Sequence, residues 1–108
     1  MNNSLQQLMQ MGQKLQTKMT EVQEKLDHEE VSASAGGGMV TATADGKGHV
    51  KSVRIDPAVV DPEDVEMLED LVLAAISEAQ NKASQVYEEE MKKISGGFPL
   101  PFQLPGLF

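Results

Sequence analysis

The chain has 108 residues, no Cys and no Trp, and nine basic against seventeen acidic side chains, for a formal charge of −8. That length makes one domain, the lack of Cys removes disulfide and thiolate chemistry, and the acidic total argues against binding nucleic acid over the whole surface. The charge is uneven, however: residues 1–55 hold six bases and six acids, and residues 56–108 hold three and eleven.

Aromatic side chains are scarce, with one Tyr and three Phe, and all the Phe lie at position 98 or beyond. A lone protomer would therefore have a thin core, and an oligomer is expected. The chain opens on Asn and Gln without a basic start, unlike a signal peptide. The longest purely apolar run, Leu71–Ile76, is too short to span a membrane. A cytoplasmic protein with no membrane partner is expected.

In chain order, the first element is a long helix over about residues 4–28. Leu5, Leu8, Gly12, Leu15, Met19, Val22 and Leu26 recur at alternating spacings of three and four. That is a heptad seam with a gap at Gly12, and it suits one partner helix, in the same chain or in a partner subunit. Gly12 costs the helix about 1 kcal/mol relative to Ala. It either admits another backbone or marks a frayed end. Lys14, Lys18 and Lys25 fall within one narrow angular sector at about 100° per residue. They form a basic stripe beside the seam, either a solvated face with Glu21 and Lys25 as an i,i+4 pair or a row of phosphate contacts. His28, Glu29 and Glu30 close the helix. Adjacent residues do not share a helix face, and their spacing matches no metal-ligand pattern.

Three strands come next, over about residues 30–36, 38–45 and 48–56. Val31, Ala33 and Ala35 alternate with Ser32 and Ser34. Val40, Ala42 and Ala44 alternate with Thr41 and Thr43, and Val53 and Ile55 with Ser52 and Arg54. Period two predicts half-buried strands. Gly36-Gly37-Gly38 and Asp45-Gly46-Lys47-Gly48 separate them, so the strands form an antiparallel meander. Asp45-Gly46 is read as a hairpin turn in which Gly supplies positive φ. Neither glycine run continues into the Gly-Lys-Ser/Thr of a phosphate loop, so both are turns. Lys47, Lys51 and Arg54 make a second small basic group.

The second helix is predicted over about residues 62–95. Asp61 is read as its N-cap, Pro62 as its first residue, and Glu63 and Asp64 as first-turn acids. Val65, Leu68, Val72, Ala75, Ala79, Ala83 and Val86 form its inner stripe, widened by Leu71 and Ile76. Lys92 and Lys93 are expected to complement its C-terminus, and Gly96-Gly97 to stop it. Residues 98–108 form a Pro-rich apolar tail that either docks in a groove or stays mobile.

The fold class is thus α+β, in the order α-β-β-β-α, with residues 1–97 as one unit. In this frame the run AGGGMVTATADGKGHVKSVRIDP, then DPEDVEMLEDLVLAAISEAQNKA, then GGFPLP, resembles the YbaB/EbfC family of bacterial nucleoid-associated proteins. The resemblance implies a homodimer whose sheets join across the interface, with the long helices projecting like the arms of tweezers. It also implies binding to double-stranded DNA with a change in DNA conformation. The expected role is in nucleoid organisation, DNA protection or gene regulation, in the cytoplasm and nucleoid. No catalytic motif, cofactor, metal or small-molecule substrate is expected. The candidate DNA contacts are Lys14, Lys18 and Lys25, with Lys92 and Lys93 as helpers. The alternative is a dimeric protein–protein adaptor that uses the heptad helix and the apolar tail, with DNA binding incidental.

Overall fold

The computed structural model describes residues 2–97, so the expected tail lies outside the described residues. Helix α1 spans Asn2–His28 and helix α2 spans Val65–Gly97. Between them lie β1 (Glu30–Ala35), β2 (Val40–Asp45) and β3 (Val50–Ile55). The strands form one antiparallel sheet in the order β1-β2-β3. At 1.5 Å per residue the helices are roughly 40 and 50 Å long, and the molecule measures 74 × 27 × 16 Å. It is an elongated body in which the sheet sits at one end of a helical arm.

Alanine makes that arrangement possible. Ala33 on β1 and Val40, Ala42 and Ala44 on β2 are buried, and Ala75 and Ala79 of α2 pack on them. Small side chains on both sides let the helix axis approach the sheet closely. Leu68, Leu71, Val72 and Ile76 close the edges of this contact. Two polar links fix α2 along the sheet: Lys82 Nζ donates to the Ser32 carbonyl at 2.9 Å, and Gln80 Nε2 to the Gly48 carbonyl at 3.1 Å. The other sheet face is covered with hydroxyls. Ser32 pairs with Thr43 at 3.1 Å and Ser34 with Thr41 at 2.9 Å.

Register decides the fate of β3. Ile55 lies opposite Val40 and Val53 opposite Ala42; after a bulge at Thr43/Ala44, Val50 lies opposite Ala44. Directly opposed residues share a face, so Val50, Val53 and Ile55 look toward the helix side. But α2 runs over β1 and β2, and these three stay 37–39% exposed. The expected half-burial of β3 is therefore not met within one protomer: all six of its residues are exposed.

Three local expectations are corrected. First, Gly46 does not supply the positive φ of the second turn; Gly48 does, at +89°. The turn is one residue longer than a two-residue Asp-Gly hairpin, with Gly48 N–H donating to the Asp45 carbonyl and Asp45 N–H to the His49 carbonyl. Second, α2 begins at Val65, and its cap is Asp64, whose carboxylate accepts from Met67 N–H at 3.2 Å. Asp61 instead holds a separate turn, accepting from Glu63 N–H at 2.9 Å. Before it, Asp56 caps a single 3-10 turn over Pro57–Val59 that the pattern did not predict. Third, α2 runs through Gly96 to Gly97, so its last turn contains no basic residue. Lys92 and Lys93 lie too far back to cap it.

Candidate nucleic-acid interface

The lower third of the α1 seam finds its partner in α2. Val22 and Leu26 are buried. Ile94 of α2 lines a cleft with Lys18, Glu21, Val22 and Lys25 of α1, next to Glu90 and Lys93. Residue 25 of α1 meets residue 90 of α2, and earlier α1 residues meet later α2 residues. The two helices therefore leave the sheet as an antiparallel arm.

Leu26 also anchors the arm to the hairpin. Gly46 N–H donates to the Leu26 carbonyl at 2.8 Å. Lys47 adds an ion pair to Asp27 at 2.8 Å. The turn is held from inside by the buried Asp45, whose carboxylate accepts the backbone N–H of Lys47 at 2.9 Å and of His49 at 3.0 Å. Burial pushes the Asp45 carboxyl up. The His49 and Lys47 N–H groups, with the His49 ring, more than offset this and hold it below the usual carboxylate range. The N–H groups of Gly46, Lys47, Gly48 and His49 all have partners within the chain. The loop therefore has no free backbone N–H with which to cradle a phosphate.

The five candidate lysines occupy three kinds of surroundings. Lys14 and Lys92 are exposed and have no ion-pair partner among the described residues. Lys18 pairs loosely with Glu21 at 3.7 Å, with both side chains about 60% exposed. Lys25 and Lys93 converge on one carboxylate: Glu90 Oε1 accepts from Lys25 Nζ at 2.6 Å and from Lys93 Nζ at 3.3 Å. The Glu90 side chain is only 10% exposed. Lys25 of α1 thus ties the two helices through Glu90, and Lys93 reaches the same carboxylate from within α2; the two side chains stay 52% and 69% exposed, and Lys14, Lys18 and Lys92 make no ion pair with Glu90. In the second basic group, Lys47 and Lys51 face Asp27 and Asp45, and Arg54 has no ion pair among the described residues.

Sequence reasoning missed Glu90. A signal was present: Glu90 continues the Ala79, Ala83, Val86 stripe, so an acid stood where an apolar residue was due. The Lys25 hydrogen bond outweighs burial and holds the Glu90 carboxyl below its ordinary value. The same hydrogen bond and the charge of Glu90 raise the Lys25 ammonium. The Glu90 contribution to stability is present above its unfolded value near 4.5 and is lost as pH falls through the lowered folded value. The Lys25 contribution is present below 10.5 and is lost as pH rises through the raised folded value. Thermal melts are expected to be flat between about pH 5 and pH 10 and to fall beyond both ends. Glu90→Gln should abolish the alkaline limb and leave a weaker acid limb carried by Asp45. Unchanged limbs in that variant would show that the clamp does not hold the arm.

No helix among the described residues is long and apolar enough to cross a membrane. No group of three His, Cys, Asp or Glu among them is placed to hold a metal ion.

Comparison with known proteins gives one consistent picture. The model of the YbaB/EbfC DNA-binding family matches residues 1–98. A nucleoid-associated protein of Alkaliphilus metalliredigens is 47% identical over 108 residues, covering 100% of this chain and 88% of that one. A nucleoid-associated protein of Chloroflexus aurantiacus is 49% identical over 102 residues, covering 94% and 96%. One of Gemmatimonas aurantiaca is 47% identical over 91 residues, covering 84% and 88%. Among solved structures, an uncharacterized protein from Helicobacter pylori superposes with a TM-score of 0.67, covering 85% of this chain and 92% of that one. At 22% identity, that likeness concerns the fold alone.

Proposed function

Because this chain belongs to the YbaB/EbfC DNA-binding family, we propose that it is a homodimeric, nucleoid-associated protein that grips double-stranded DNA between lysine-bearing arms and changes its conformation. It works in the cytoplasm, on the nucleoid, without catalysis. The observation that carries this reading is the arm itself: a helical pair projecting from a small sheet, with Lys14 and Lys18 unclamped on one face of α1. Lys18 and Lys14 sit about 90° and about 130° around α1 from the seam, so phosphates can approach without disturbing the α1–α2 contact. Lys92 on the companion helix adds a third open cation. Lys25 and Lys93 each donate one N–H to Glu90 and are held by it, so their part is secondary. Sequence discrimination would come through DNA shape, since the chain has one Arg to read guanine with two parallel hydrogen bonds.

The dimer is supported by β3. Val50, Val53 and Ile55 form an apolar row left uncovered beside α2, on an edge strand whose outer backbone groups have no ladder partner among the described residues. A second copy joined there would cover the row and double the lysines. Val53→Asp should convert the dimer to monomer in sedimentation velocity while the Lys-bearing helices keep their circular dichroism. A variant that stays dimeric would move the interface elsewhere.

The test of function is fluorescence anisotropy with a labelled duplex at several salt concentrations. Three open lysines per protomer make six phosphate contacts per dimer, so log affinity should fall against log salt with a slope of about −5. Binding that is absent even at low salt would overturn the DNA reading. The exposed leucines of α1, Leu5 and Leu8, 63% and 65% exposed, would then favour the adaptor.

A further inference from the structure

The sheet has two outer edges, and they differ. The ladder fixes which backbone groups lie on each. Asp56 N–H donates to the Met39 carbonyl at 2.8 Å, and Asp45 N–H to the His49 carbonyl at 2.9 Å. Opposed residues of an antiparallel pair alternate between exchanging hydrogen bonds and not. Thr41 and Thr43, like Met39 and Asp45, therefore turn their backbone groups toward β3. Val40, Ala42 and Ala44 turn theirs toward β1, where Ala35, Ala33 and Val31 lie opposite. Glu30, Ser32 and Ser34 are left with N–H and C=O on the outer edge of β1. By the same alternation Val53 and Ile55, opposite Ala42 and Val40, carry theirs on the outer edge of β3.

Lys82 closes the first edge. Its Nζ reaches over from α2 and donates to the Ser32 carbonyl at 2.9 Å, across fifty positions of sequence. Lys82 makes no ion pair among the described residues. The ammonium thus occupies the middle one of the outward carbonyls of Glu30, Ser32 and Ser34. A strand approaching β1 would have to displace it and set its own N–H beside a cation. Glu30 adds an exposed carboxylate at one end of the same edge. Nothing apolar favours such an approach, because Val31, Ala33 and Ala35 already pack in the core beneath α2. The β3 edge is the opposite case. No side chain among the described residues bonds to the outward groups of Val53 and Ile55, and Val50, Val53 and Ile55 stay 37–39% exposed.

We propose that Lys82 is the residue that limits assembly to two copies: it caps the β1 edge, so that a second chain joins only at β3. This rests on the reading above that β3 is the dimer edge. Two three-stranded sheets joined through β3 make one sheet of six strands with a β1 at each end. An open β1 would let further dimers add there by the same edge-to-edge pairing, and the sheet would lengthen without closing. One lysine on each outer edge stops it. The finished dimer then carries a single pair of arms.

Sedimentation velocity over a concentration series tests this on the full chain. The parent and Lys82→Arg, which keeps a donor and a charge, should stay at two copies. Lys82→Ala should form species above the dimer that grow with concentration. Val53→Asp together with Lys82→Ala should recover a dimer, now through β1, where Val53→Asp alone gives monomer. Amide exchange locates the new contact. The outward N–H groups of Ser32 and Ser34 should exchange at least tenfold more slowly in concentrated than in dilute Lys82→Ala, and at one rate in both for the parent. A Lys82→Ala chain that matches the parent in size throughout would overturn the proposal. So would larger species in which Ser32 and Ser34 exchange no more slowly. A dimer that survives Val53→Asp would overturn the β3 reading alone; growth of Lys82→Ala past the parent's size would still establish the cap, and its absence would still refute it.

Discussion

Gly46→Ala is expected to destabilise the protein by about 3 kcal/mol, at the upper end of what overpacking costs. A Cβ on Gly46 would stand 2.8 Å from Leu26 Cδ2, 2.9 Å from the Leu26 carbonyl oxygen and 3.0 Å from Leu26 Cα. The first of these can rotate away. The other two are backbone, part of the turn of α1 to which Gly46 N–H is hydrogen-bonded at 2.8 Å. Relief requires α1 to lift off the hairpin, which breaks that bond and exposes Leu26, one of the two largest fully buried side chains among the described residues. The sign makes the test sharp. Gly46 is not among the glycines with positive φ, so Ala meets no backbone strain there. Without the contact, the substitution would stabilise by about 0.4–1 kcal/mol through the unfolded chain. Chemical denaturation distinguishes the two signs. A midpoint that rises would mean α1 does not rest on the turn.

Lys14→Glu together with Lys18→Glu is expected to abolish DNA binding at physiological salt, a loss of roughly a hundredfold or more. The double change removes four of the six open cations of a dimer and sets four anions in their place. The fold should tolerate it. Lys14 has no ion pair among the described residues, and the Lys18–Glu21 pair is long and solvated, so it contributes little. The new like-charge neighbours on α1 cost only about 0.2–0.5 kcal/mol each. Sedimentation should still report a dimer, and anisotropy should report no complex. Lys25→Gln is the informative contrast: it breaks the Glu90 clamp, so it should lower stability more than affinity. Unchanged affinity in the double variant would remove the α1 stripe from the interface.

Much of the fold was legible because local patterns and tertiary contacts agree. The three-four spacing from Leu5 to Leu26 marked α1. Period-two Ala and Val with Ser and Thr marked the strands, and the Ala75, Ala79, Ala83 stripe marked the face of α2 that meets the sheet. Chain order and short turns then left a meander as the simple topology. Boundaries at the acidic stretch were harder. Asp56, Asp61 and Asp64 are all competent caps, and each holds a turn; which one begins α2 depends on where the helix must lie to bring Ala75 and Ala79 into the buried cluster on the sheet.

Composition and periodicity by themselves determined a single α-β-β-β-α domain with a basic stripe on its first helix, and the glycine-rich turns with the Ile55-Asp56-Pro57 run pointed to the family. Those features rest on backbone geometry and side-chain polarity, which act over a few residues. Only the tertiary structure decided which lysines bind Glu90. Lys14, Lys18 and Lys25 share one angular sector and look alike in sequence. Glu90, sixty-five positions away from Lys25, reaches it at 2.6 Å and draws in Lys93. It likewise decided that Gly46 is a contact point and Gly48 the left-handed residue, and that β3 is left bare. Each of these depends on atoms distant in sequence meeting at van der Waals or hydrogen-bond range, a distance that no local pattern records.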